Sequence, residues 1–204
     1  MKIGIFTIIY NDKPLDKTLE YLSALGYEAV ELACWKGSKH IDIDEITSGK
    51  AGELRRILNN YGMHISALNN RLESRLILGM YDESSKNSVE YGINRMKKTI
   101  DAAQSLNVPV VCAFAEVQEW KKYSTSHSTN NGVLENIFKT FKERWLPILD
   151  YAKDHGVKIA FETHPMGLNY NLETSKRLIE NAEEHRALGF NYDPSHLVLQ
   201  KIDP

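Results

Sequence analysis

The chain has only two cysteines, Cys34 and Cys112. Both fall within or at the end of apolar, strand-like runs. A disulfide framework is therefore excluded, and buried free thiols in a reducing, cytoplasmic compartment are expected. No apolar stretch approaches the roughly 20 residues a membrane-spanning helix needs, and Ile3–Ile9 is too short for a signal-peptide core with its cleavage site. Charge of one sign is lacking too. The net charge is −2, with no block of like charges. That argues against a nucleic-acid partner, because phosphate binding leaves a basic footprint. A glycine-rich phosphate loop is also missing after the first apolar run, where Thr7-Ile8-Ile9-Tyr10-Asn11-Asp12 stands instead. A dinucleotide-binding Rossmann fold is correspondingly disfavoured.

What the sequence does have is alternation of strand and helix signals from end to end. Lys2–Ile8 reads as a strand. Pro14 can open a helix carried by Leu15, Leu19, Leu22 and Leu25, with Gly26 as its stop. Ala29–Ala33 is the second strand. Leu54, Ile57, Leu58 and Tyr61 mark a short helix that ends at Gly62, and His64–Leu68 is the third strand. Val89, Ile93, Met96, Ile100 and Ala103 form one apolar helical face. Val108–Ala115 lacks alternation, which predicts a strand buried on both faces of a parallel sheet. Glu119–Gly132 reads as a long polar loop of the functional kind, with Trp120 and Tyr123 as pocket-wall or packing residues. Val133, Ile137, Phe141, Trp145, Ile148 and Ala152 mark a helix that Pro147 should kink, with Phe141, Trp145 and Leu149 in the core. Val157–Phe161, a helix within Ser175–Ala187, and Leu188–Tyr192 complete six βα units. No linker or shift in composition interrupts the 204 residues, so residues 1–204 are read as a single domain.

Polar residues collect where these strands end: Glu31, Asn69 with Asn70, Glu116, Glu162 with His164, and Asp193 with His196. Chemistry spread over many strand ends is what a (β/α)8 barrel places at its C-terminal face. Taken singly, each residue has a plain structural reading. Glu162 can be a strand-end salt bridge, Asp193-Pro194 a turn that caps a helix, and His196 a packed ring. Their co-occurrence on consecutive strands is what those readings do not predict. Paired carboxylates with imidazoles at one sheet end suit a divalent metal of intermediate hardness.

Phe161-Glu162-Thr163-His164-Pro165, Phe190-Asn191-Tyr192-Asp193-Pro194-Ser195-His196-Leu197 and Gln200-Lys201-Ile202-Asp203-Pro204 resemble the xylose isomerase-like TIM-barrel superfamily. The sugar phosphate isomerases and epimerases related to inosose dehydratases are the most similar group. Leu25-Gly26-Tyr27-Glu28-Ala29-Val30-Glu31-Leu32, Ile65-Ser66-Ala67-Leu68-Asn69-Asn70 and Arg144-Trp145-Leu146-Pro147-Ile148-Leu149 extend the likeness through the chain. The resemblance implies a divalent metal (Mn2+, Mg2+ or Zn2+) held by Glu162 and Asp193. Glu162 would also act as acid/base, with His196 and His164 contacting substrate. Glu31 and Asn69 are further candidates for substrate contact. Close relatives often carry a histidine where this chain has Arg71, read either as a contact to phosphate or carboxylate or as a solvated loop charge. The family's histidine after strand seven and glutamate after strand eight have no counterpart, so the barrel is expected to be incomplete at the C-terminus, represented by six of eight units.

The function this implies is metal-dependent isomerisation or epimerisation of a sugar, sugar phosphate or related polyol, by proton transfer next to a carbonyl. A dehydratase is a close variant. The alternative is a catalytically silent barrel fragment, or a sugar-binding protein lacking the last two strands, whose open sheet edges invite a second copy as in a homo-oligomer. An apurinic endonuclease shares the fold, but the acidic balance disfavours it.

Overall fold

A computed structural model describes residues 2–79, 86–117 and 131–204. Six parallel strands form one sheet in chain order: β1 (Gly4–Phe6), β2 (Ala29–Ala33), β3 (His64–Asn69), β4 (Val110–Ala113), β5 (Lys158–Glu162) and β6 (Leu188–Asn191). Each strand pairs with its successor, so every connection is a crossover. Among the described residues the α-helices are α1 (Leu15–Ala24), α2 (Ile43–Glu45), α3 (Ala51–Asn60), α4 (Arg71–Ser74), α5 (Lys86–Leu106), α6 (Asn131–Asp154), α7 (Leu172–Asn181) and α8 (Pro194–Leu199).

Strands begin in a uniform way. After α1, α3, α5 and α6 a residue in the left-handed region turns the chain: Gly26, Gly62, Asn107 and Gly156. Each turn is closed by the same pair of bonds. After α1, for instance, Gly26 N–H donates to the Ser23 carbonyl and Tyr27 N–H to the Leu22 carbonyl. This is the Schellman arrangement, and it satisfies helix carbonyls while aiming the chain into the next strand.

Strand alternation then divides the side chains between two layers. Val30, Leu32, Leu68, Val111, Ala113, Ile159 and Phe161 join Leu19, Leu22, Leu58, Met96, Ile100, Phe141 and Trp145 in one buried core. Phe161 meets Trp145 edge to face, with ring centroids 4.7 Å apart. The other sheet face carries small residues, among them Ala67, Cys112 and Ala160. Cys34 and Cys112 are buried and unbridged, and burial pushes both thiols far up, which leaves them protonated and inert.

Several elements differ from the sequence expectation. The first strand is only Gly4–Phe6, because the rest of its apolar run forms a 3-10 turn over Thr7–Tyr10. Thr7 is held there by a hydrogen bond from its hydroxyl to Nδ1 of buried His40, whose Nε2 faces the carbonyls of Tyr10 and Lys13. The fourth strand stops at Ala113, since Phe114 N–H donates to Ser74 Oγ and the Ala115 carbonyl accepts from Leu168. The helix sought within Ser175–Ala187 is Leu172–Asn181, started by an Asn171–Thr174 capping box and followed by Glu183 and Glu184 at positive φ. Residues 43–50 form helical turns interrupted at Gly49, whose φ is 117°, although hydrophobic spacing did not reveal them; Asp42 caps them by accepting from Asp44 N–H. Pro147 lies inside α6 without ending it. Most of the expected 119–132 loop lies outside the described residues, and Asn131 already belongs to α6.

A buried ion network ties the loop after β2 to the segment after β3 and to α5. Glu73 is 4% exposed and accepts from Arg95 Nε at 3.0 Å, Tyr91 Oη at 2.9 Å, Asn70 Nδ2 at 3.0 Å and Lys36 N–H at 3.0 Å. Arg95 Nη1 reaches on to Asp44 at 2.8 Å. Removing one partner strands a buried charge. Arg95→Met should therefore lower unfolding free energy by about 3–5 kcal/mol in urea titration. Lys17→Met, which breaks the exposed Lys17–Glu20 pair, should leave the urea midpoint essentially where it is.

Candidate functional site

The site is built by β5, β6 and the residues that follow them. Register sets Phe161 beside Phe190 and Glu162 beside Asn191. Both phenylalanines pack into the helix-side core, so Glu162 and Asn191 lie on the opposite face. Asn191 Nδ2 donates to Glu162 Oε2 at 3.2 Å. Two residues later Asp193 caps α8, its Oδ1 accepting from Ser195 N–H at 2.9 Å, with Pro194 in the first helical turn. The cap turns the chain so that His196 Nε2 lies 3.2 Å from Glu162 Oε1 and 3.5 Å from Asp193 Oδ2.

Ligand-capable atoms of Glu162, Asp193 and His196 thus all lie within 4.8 Å of one another. His196 Nδ1 is buried and has no hydrogen-bond partner among the described residues. Two carboxylates and an imidazole form the mixed oxygen and nitrogen set that divalent cations of intermediate hardness accept. These three residues fit such an ion.

The carboxylates occupy opposite environments. Burial raises the Glu162 pKa, while the hydrogen bond and charge of His196 pull the other way. Hydrogen bonding to Ser195 holds the pKa of Asp193 down. His164 is lowered, first by burial and then by the neighbouring charges of His196 and Arg71. Its Nδ1 accepts from Met166 N–H at 3.1 Å. The segment after it is strapped to the end of β4, Val117 N–H donating to the Met166 carbonyl and Leu168 N–H to that of Ala115, both at 2.8 Å. The strap holds the His164 ring edge-on to His196, with centroids 4.5 Å apart, and against Phe114 at 5.6 Å.

Glu31 lies in the middle of β2 rather than at its end. It accepts from Asn69 Nδ2 at 2.6 Å, while Asn69 Oδ1 accepts from Arg71 N–H at 3.0 Å. Asn69 is 2% exposed, so both ends of its amide are spent inside the protein. Arg71 opens α4, where its partly exposed guanidinium pairs with buried Glu116 at 3.1 Å and lies over the Phe114 ring, 4.8 Å from the centroid. Trp120 and Tyr123 fall outside the described residues.

Sequence reasoning passed over Asn191, Phe114 and the pairing of Arg71 with Glu116. Only the matched register of β5 and β6 could have exposed Asn191, two positions before Asp193.

Burial raises the Glu31 pKa above the ordinary glutamate value, and the Asn69 hydrogen bond lowers it. The folded protein therefore takes up this proton at higher pH than the unfolded chain does. Stability contributed by protonated Glu31 is present below the unfolded value and is lost as pH rises through the folded one. Carbon-13 NMR of the Glu31 carboxyl should show a midpoint above that of free glutamate, and Asn69→Ala should move it higher still. A midpoint at or below the free value would contradict this.

No curated protein matches this sequence. Solved structures do, at low identity. A probable 3-DHS dehydratase, AsbF, involved in petrobactin synthesis in Bacillus anthracis, is 18% identical with a TM-score of 0.72; the match covers 100% of this chain and 67% of that one. The IOLI protein with a binding zinc atom is 20% identical with a TM-score of 0.70, over 100% of this chain and 66% of that one. The 3-keto-D-glucoside 4-epimerase YcjR of E. coli is 12% identical with a TM-score of 0.73, over 100% and 72%. The chain thus spans about two thirds of the length of the first two. Among the described residues, no helix is long and apolar enough to cross a membrane. A family model for the xylose isomerase-like TIM barrel matches residues 19–204, and with six parallel strands in sequential order the chain belongs to that family.

Proposed function

We propose that the chain carries the metal-and-base part of a divalent-metal-dependent isomerase or epimerase acting on a sugar, sugar phosphate or related polyol. The observation that carries the reading is the convergence of Glu162, Asp193 and His196 within 4.8 Å at the ends of two neighbouring strands. Neighbouring folds that include a sugar epimerase, a dehydratase and a zinc-binding protein support it.

In this reading Glu162 and Asp193 hold the cation, with His196 beside them. Manganese, magnesium or zinc bound there supplies positive charge that polarises a sugar carbonyl and stabilises the charge that develops on its oxygen. Glu162 takes the proton from the adjacent carbon. Its place at the end of β5, with His196 Nε2 at 3.2 Å, suits the task, because a positioned carboxylate beside a cation can remove a proton that the cation has made more acidic. Asp193, held ionised by the Ser195 cap, keeps its negative charge while Glu162 changes protonation. His164 and His196, edge to face, orient substrate hydroxyls by hydrogen bonds.

Two measurements test this. Calorimetric titration with Mn2+ should show binding that Glu162→Gln or Asp193→Asn each weakens by about tenfold or more. With Mn2+ present, the proton next to the carbonyl of D-fructose should exchange with solvent deuterium in the wild-type protein and not in Glu162→Gln. Exchange that survives Glu162→Gln would assign the base elsewhere, and unchanged Mn2+ affinity in both variants would remove the metal site.

A further inference from the structure

We propose that Arg71 is a specificity-determining residue that grips an oxyanion, carboxylate or phosphate, at the far end of the substrate, so that the site selects acidic polyols over neutral ones. The inference rests on the polyol-site reading above and names its substrate class. A chain of side-chain contacts runs from the carboxylates to this arginine. His196 touches Glu162 at 3.2 Å, His164 meets His196 at 4.5 Å, Phe114 meets His164 at 5.6 Å, and the Arg71 guanidinium covers Phe114 at 4.8 Å. A polyol with its carbonyl end at Glu162 would extend past the partly exposed His196 and His164 with its other end toward Arg71.

The guanidinium is held in advance. Glu116 has 3% of its side chain exposed and accepts from Arg71 Nε at 3.2 Å and Nη2 at 3.1 Å, while the Phe114 ring fixes the guanidinium plane. The ordering cost of a long side chain is thereby met before any ligand arrives. Arg71 nevertheless keeps 41% of its side chain exposed. Glu116 occupies the Nε edge of the fork. The edge formed by the two terminal nitrogens has the spacing that carboxylates and phosphates match with two parallel bonds.

The test compares, by calorimetry with Mn2+ present, sorbitol, gluconate and glucose 6-phosphate. Wild-type protein should bind at least one of the two anions about tenfold or more tightly than sorbitol, the anion with the larger advantage identifying the end group. Arg71→Gln should abolish that advantage and leave sorbitol affinity unchanged. Because Arg71→Gln leaves Glu116 buried without this partner, Arg71→Gln combined with Glu116→Gln removes both charges and should give the same result. Equal affinity of the wild type for all three compounds overturns the proposal, as does an anion advantage that persists in both variants. Sorbitol binding that survives Glu162→Gln would instead overturn the underlying site reading, and so would a wild type that binds none of the three.

Discussion

The register between β5 and β6 is the constraint on which the site depends. Phe161 stands beside Phe190 and Glu162 beside Asn191. A slip of one residue would send Glu162 into the layer where Phe161 packs on Trp145, and would bring Phe161 to the polar face. Burying an unpaired carboxylate against an indole costs far more than any alternative backbone pairing returns. The aromatic packing of the core therefore also positions the candidate metal ligands. Asp193 and His196 follow because the Asp193 cap fixes where α8 begins.

Around this register the protein separates its charges by environment. Glu73 and Arg95 are buried together in a network with Tyr91 and Asn70 that reaches the surface at Asp44. Glu162 is shielded enough for burial to dominate its ionisation, yet its neighbours His196 and Asp193 remain partly accessible. The first arrangement is a brace between loops and a helix. The second leaves charges only partly compensated, which is what marks it as a candidate functional site.

Much of this architecture was legible in the sequence, for local reasons. Apolar runs turning polar at Glu162 and Asp193 marked the strand ends, and Gly26 and Gly62 marked helix stops that the structure also has. What escaped had a non-local cause. The first strand ends early because Thr7 is engaged by His40, 33 residues away. The fourth ends early because Ala115 is taken by the strap at Leu168. Arg71, read from the sequence either as an anion contact or as a loop charge, gives no local sign that it meets Glu116, 45 residues further on. Asn191 carries no signal, because an amide at a strand end is unremarkable until its neighbour across the sheet is known.

The repeated Schellman turn makes the two rims of the sheet unlike in kind. Where the chain enters a strand, a few contiguous residues specify the geometry completely, and the same bonds recur after α1, α3, α5 and α6. Where it leaves, local caps such as Asp193 are joined by partners from distant segments, such as Ser74 for Phe114 or the strap for β4. One rim is thus written in a local code and the other partly by mutual agreement among loops. Sequence drift on the exit rim can change what is recognised while the entry rim keeps delivering strands in the same place. A lineage built this way can exchange substrates without having to rediscover its fold.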